Sequence, residues 1–212
     1  MSGHDILIVA ERFDCADLDA LSEPIRRWQQ DGNPLPQLFT LQELLHSADV
    51  FPIELMDLQH SRRILFGRDP LAEIKIDMHD YRVQIERELK TRFLLLRRKY
   101  VAASRDETSL AQLMIASIST FLVLLRGVLR LYNKDVPAAK AEALDSLRQF
   151  VKFDPQPFHQ VLALKQQSAK PAMVELHRLF GSYLAQIETV IAAVDRYLQT
   201  EPVSGEKPLQ SE

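Results

Sequence analysis

Cysteine is nearly absent from this chain of 212 residues: Cys15 stands alone, so no internal disulfide can staple the fold. A lone thiol fits a reducing compartment, and no basic pattern near Cys15 marks an activated nucleophile, so a small buried hydrophobe is expected there. Glycine is scarce as well. The six glycines form no G-x-x-x-x-G-K and no G-x-G-x-x-G word, which excludes both common phosphate-cradling loops. Charge of one sign is missing too. With 26 basic and 29 acidic residues the formal net charge is −3, without the basic excess a general nucleic-acid coat needs to displace counterions. Nucleic acid is therefore not an expected partner. The histidines, His4, His46, His60, His79, His159 and His177, make no H-x-x-x-H or C-x-x-C pattern of a zinc site, and no G-x-S-x-G surrounds Ser61 or Ser104.

Long apolar runs are the last absence. The richest stretch, Leu110 to Leu125, contains Gln112, Ser117, Ser119 and Thr120. Arg126 then closes it short of the ~20 residues that a bilayer demands, so a central packed helix is expected and no membrane partner. Met1 to Asp5 lacks the positive n-region of a signal peptide, and the apolar run after it is short. The expected location is the cytoplasm.

What is present is ordinary globular material, 46% hydrophobic and 26% charged, whose character changes near residue 76. Before it, Ile6-Leu7-Ile8-Val9 reads as a covered strand and Asp17 to Gln30 as a helix capped by Asp17, with a break or kink at Pro24. Leu38-Phe39 suggests a short strand, and Thr40 with Glu43 has capping-box spacing. Phe51, Ile53 and Leu55 alternate with Glu54 and predict a strand over 51–58. After residue 76 almost everything predicts helix: a long one over Met78 to Leu96 with Arg82/Glu86 and Glu86/Lys90 pairs outside, then Thr108 to Tyr132, Pro137 to Phe150, a short one after Pro157, and Pro171 to Leu198. The expected class is α+β: a partial α/β domain at 1–75, antiparallel helices forming a four- or five-helix bundle at 76–200, and a disordered tail at 201–212.

Two carboxylates hold informative places, Asp5 before the first strand and Glu54 within the second. Brought together on neighbouring strands, they could hold Mg²⁺, a hard cation that takes carboxylate and triphosphate oxygens. Asp57 is a weaker third candidate, because its odd offset from Glu54 turns it to the opposite face of a regular strand. The words Ile53-Glu54-Leu55-Met56-Asp57-Leu58, then Arg62-Arg63-Ile64-Leu65-Phe66-Gly67, resemble the third-carboxylate strand of polymerase-beta-like nucleotidyltransferases. Gln84-Ile85-Glu86-Arg87-Glu88-Leu89-Lys90 with Leu96-Arg97 is similar to a bacterial branch whose members carry a helical C-terminal domain like that of kanamycin nucleotidyltransferase.

The resemblance implies transfer of a nucleoside monophosphate from NTP·Mg²⁺ to a hydroxyl of a small molecule or protein. It implies Asp5 and Glu54 as catalytic metal ligands. It also implies a departure: Gly3 falls where the first aspartate of the pair should be, and the Gly-Ser triphosphate word has no counterpart. A truncated or degenerate member is therefore expected, and whether it turns over is open. Arg62, Arg63, Arg92 and Lys99 are candidates for a positive rim toward phosphate; Arg92 and Lys99 are seven apart and share a helix face. The alternative is a non-catalytic binding or regulatory module that pairs through its helices with another chain or itself.

Overall fold

The computed structural model describes residues 6–132, 136–137, 139–165 and 172–197, without the side chains of 140 and 141. Asp5, Gly3, His4 and the tail from residue 201 lie outside the described residues. The described chain is mostly helical with one small parallel sheet, and it divides into two compact units between Tyr81 and Arg82.

In the first unit, β1 (Leu7–Ala10) leads through α1 (Cys15–Gln30) to β2 (Gln37–Thr40), and the strands pair in parallel with Leu7 opposite Gln37 and Ala10 opposite Thr40. Parallel strands need a crossover of this length, which α1 supplies. Its N-cap is Asp14, not Asp17. The Asp14 carboxylate accepts from Asp17 N at 2.9 Å while the Asp17 carboxylate accepts from Asp14 N at 3.0 Å, so Asp17 fills the third position of the capping box. Pro24 lies inside one unbroken helix. Cys15 starts that helix and is exposed, which corrects the expectation of a buried thiol: the first turn of α1 faces outward.

Gly32 ends the crossover with φ +81°, a conformation that glycine adopts without Cβ strain. Trp28 Nε1 donates to Pro34 O at 2.7 Å and fixes the return. Thr40 then caps α2 (Leu41–Leu45) in the reciprocal box that its spacing with Glu43 predicts.

The strand expected over 51–58 is not there. Pro52 opens a helix instead, α3 (Pro52–Ser61), because a proline at the first helical position loses no needed donor, whereas in a strand it would break a ladder bond. The alternation of Phe51, Ile53 and Leu55 was compatible with a strand, but burial follows helical spacing: Pro52 and Leu55 are buried, three apart. Leu55 joins Leu44, Leu71 and Ile74 in the core of this unit, against Leu7, Val9 and Phe39 of the sheet.

The second unit contains most of α4 (Met78–Ala103), then α5 (Glu107–Tyr132), α6 (Lys140–Leu147), α7 (Gln156–Leu164) and α8 (Met173–Tyr197). α4 and α8 run antiparallel: Lys90 meets Asp195 at 3.1 Å, while ten residues on, Tyr100 stacks on Phe180 at 4.2 Å between centroids. α5 and α8, by contrast, run parallel. Glu107 accepts from Met173 N, Ser117 meets Tyr183, and Tyr197 donates to Leu131 O, each pair 66 residues apart in sequence. The strictly antiparallel arrangement expected from short connections fails here, because α6 and α7 carry the chain back before α8 begins.

α5 is long and apolar enough to cross a membrane by length and composition alone; here it packs against α6, α7 and α8, and thirteen of its residues are buried. The pairs Arg82/Glu86 and Glu86/Lys90 both form, at 2.7 and 2.5 Å, but Arg82 is itself buried rather than outside.

Candidate functional site

A groove of about 1120 Å³ opens in the first unit between the edge of β1 and α3. One wall is Ile6 to Val9; the other is Glu54, Asp57, Leu58 and Ser61 of α3, continued by Arg62 to Phe66. Trp28 and Gln37 close it. The helical conformation of α3 changes the relation between its two carboxylates. In a strand, an offset of three would set Glu54 and Asp57 on opposite faces; on a helix it sets them on one face, about 4.5 Å apart along the axis. Both line the groove, with Glu54 exposed and Asp57 half-buried. The expectation that Asp57 turns away from Glu54 is therefore corrected, and so is the placing of Glu54 on a strand. In the first turn of α3 its carboxylate also meets the positive end of the helix dipole.

The segment after α3 is tied down by polar bonds. Gln59 Nε2 donates to Leu71 O at 3.0 Å and to Ile74 O at 2.8 Å. Arg62 donates through Nε and Nη2 to Asp69 Oδ2 at 2.8 and 2.5 Å, and through Nη1 to Gln59 O. The Arg62 guanidinium thereby holds the Asp69 carboxyl below its ordinary range. Arg62 is thus engaged by its own neighbours, which weakens its expected role as a phosphate contact. Arg63 lines the same groove and makes no ion pair among the described residues. Beyond it Ile64, Leu65 and Phe66 are exposed, Phe66 to 98%. These three give the mouth of the groove an apolar lip.

The remaining expected site residues lie elsewhere. Arg92 and Lys99 belong to α4 in the second unit, where Arg92 pairs with Glu88 at 3.2 Å and Lys99 is exposed. Asp5 falls outside the described residues, although Ile6, its neighbour, lines the groove. Among the described residues no three His, Cys, Asp or Glu side chains gather as a metal-binding group. Trp28, Gln37 and Ser61 had no signal in the sequence: none belongs to a motif, and the fold alone brings them to the groove.

A second depression, about 660 Å³, lies between α7 and α8 and is lined by Gln160, Arg178 and Gln186. Gln186 already accepts from Asp154 N at 2.8 Å. Compared with protein-family models, with curated proteins and with solved structures, the chain matches none of them.

Proposed function

We propose that this chain is a nucleotidyltransferase-like protein whose first unit takes a nucleoside triphosphate with Mg²⁺ in the groove between β1 and α3. On this reading the first unit is a partial nucleotidyltransferase-like α/β domain and the second a five-helix bundle. The observation that carries the reading is the meeting of Glu54, Asp57 and Arg63 on one groove. Two carboxylates suit a hard cation that keeps its other positions for water and phosphate oxygens. Such an ion neutralises the charge that develops on a transferring phosphoryl group. Arg63 supplies a fixed positive charge toward the same phosphates, and the apolar lip at Phe66 offers a face for a base to stack on. Asp5, one residue before the groove wall, is the third carboxylate of the proposal. Gly3 supplies no carboxylate, so binding persists while transfer to a hydroxyl acceptor is slow.

Calorimetric titration of the chain with each NTP, with and without Mg²⁺, tests this. Metal-dependent binding is expected, with a loss of at least about tenfold in Glu54→Gln, equivalent to ~1.4 kcal/mol. Absence of heat with every NTP from folded protein would end the reading.

A second reading, a non-catalytic binding module acting through its helices, is favoured by one observation. The outward face of α4 carries exposed Leu94 and Val101 beside Arg87 and Arg98, which form no ion pairs among the described residues.

A further inference from the structure

The outward line of α4 has a regular spacing. Val83, Arg87, Lys90, Leu94, Arg97 and Val101 follow one another at four, three, four, three and four residues, the seam of a coiled coil. All six are exposed, Val83 to 42%, Leu94 to 57% and Val101 to 77%. The core of the unit is served by other residues of the same helix, Ile85, Leu89, Phe93 and Leu96, so the outer seam, Lys90 apart, is surplus to the fold. Half of it is apolar and half is basic.

Of the cations, Lys90 is engaged by Glu86 and Asp195. Arg97 sits over the Phe93 ring at 5.5 Å and is itself exposed. Arg87, Arg97 and the flanking Arg98 have no carboxylate partner among the described residues, in a chain whose net charge is −3.

We propose that this seam, Val83 to Val101, is a docking surface for a partner helix whose own seam mixes apolar and acidic residues. The seam is about 27 Å long, enough for nearly three heptads of contact. Three rivals fit less well. A second copy of the chain would set arginine against arginine along the line, a repulsion at each meeting. A membrane-surface helix separates its apolar from its basic face, whereas here the two share one line. Nucleic acid would leave Leu94 and Val101 facing phosphates. An acidic helix satisfies the arginines and covers the apolar residues together.

The proposal deepens the binding-module reading and rests on it, and the two fail separately: nucleotidyl transfer by the unaltered chain refutes a non-catalytic module whatever α4 binds. The test uses the full chain and a synthetic helix of about three heptads with Leu and Glu alternating along its seam. The same helix with Lys for Glu, a short RNA duplex and phosphatidylserine vesicles serve as competitors. The acidic helix is expected to bind at least about tenfold more tightly than the lysine helix. Arg87→Glu with Arg98→Glu should invert that preference, and Leu94→Ser should weaken it with the charge unchanged, each variant first shown folded by circular dichroism. Equal binding of the two helices, or binding of neither, overturns the proposal. So does a duplex or vesicle interaction that the double charge reversal abolishes.

Discussion

Ser117 and Tyr183 join α5 to α8, and their chemistry predicts a change of sign in a double-mutant cycle. Tyr183 is fully buried, edge-on to Phe121 at 5.9 Å and to Phe158 at 5.1 Å between centroids. Its hydroxyl lies 3.2 Å from Ser117 Oγ. Ser117 already donates its single proton to Met114 O at 2.9 Å, so the phenol is the donor of the pair. In the native chain Ser117→Ala strands a buried phenolic proton, at a cost of about 1–3 kcal/mol. The same change raises helix propensity in mid-α5, a gain of about 0.5 kcal/mol. The net is a loss of roughly 0.5–2.5 kcal/mol.

Tyr183→Phe alone removes one neutral hydrogen bond and keeps the ring contacts, a loss of about 0.5–1.5 kcal/mol. In that background no phenolic proton remains to be stranded, and Ser117→Ala should be neutral or slightly stabilising. Urea unfolding followed at 222 nm, with m-values checked for constancy, measures all four proteins. If Ser117→Ala costs the same in both backgrounds, the donor assignment and the α5–α8 contact built on it are wrong.

Burial pushes the Tyr183 phenol up from its ordinary value of 10.0, and Tyr132 shifts the same way for the same reason. Both are groups whose neutral form the fold favours. Their contribution is complete below the unfolded value and is lost as pH rises through the folded one, so stability should fall above pH about 10, less steeply in Tyr183→Phe. A Tyr183→Phe curve as steep as that of the native chain would contradict the assignment. Gln59→Ala should cost about 1–3 kcal/mol by stripping the donor from Leu71 O and Ile74 O, and trypsin should then cut faster at Arg62, Arg63 and Arg68. Leu129→Ala, at a fully buried site of α5, should cost about 2–5 kcal/mol in the same urea experiment. Gly32→Ala forces a side chain to φ +81° and should cost about 1–2 kcal/mol in the same urea experiment.

Local signals carried much of this fold into view, and non-local ones did not. The unbroken Ile6–Val9 run, the Thr40/Glu43 box and the periodicity of α4, α5 and α8 are chemistry within a few residues, and each element stands close to where that chemistry puts it. The segment after Phe51 misled because a short, mostly apolar stretch fits either period; Pro52, read as the opening of a helix, was the deciding residue. The cap of α1 slipped by three residues because Asp14 and Asp17 are the same residue type at capping-box spacing. The parallel pairing of α5 with α8 has no local trace at all. For the groove, Glu54, Asp57, Arg62 and Arg63 were legible as separate candidates, but that they share one groove follows from the helical α3, and the engagement of Arg62 by Asp69 depends on a loop whose path only the fold reveals.

The offset of 66 residues between α5 and α8 bears on how the protein is made. A ribosome adding about 5–20 residues per second needs roughly 3–13 s to deliver each α8 residue after its α5 partner. Until then the long apolar helix α5 lacks one of the surfaces it packs against, with Phe121 waiting for Tyr183. Closing so long a loop also costs about 2–3 kcal/mol more than closing one of four residues. The nascent chain is therefore most exposed to aggregation in the interval before α8 emerges, and a chaperone that holds bare apolar helices would find its substrate there.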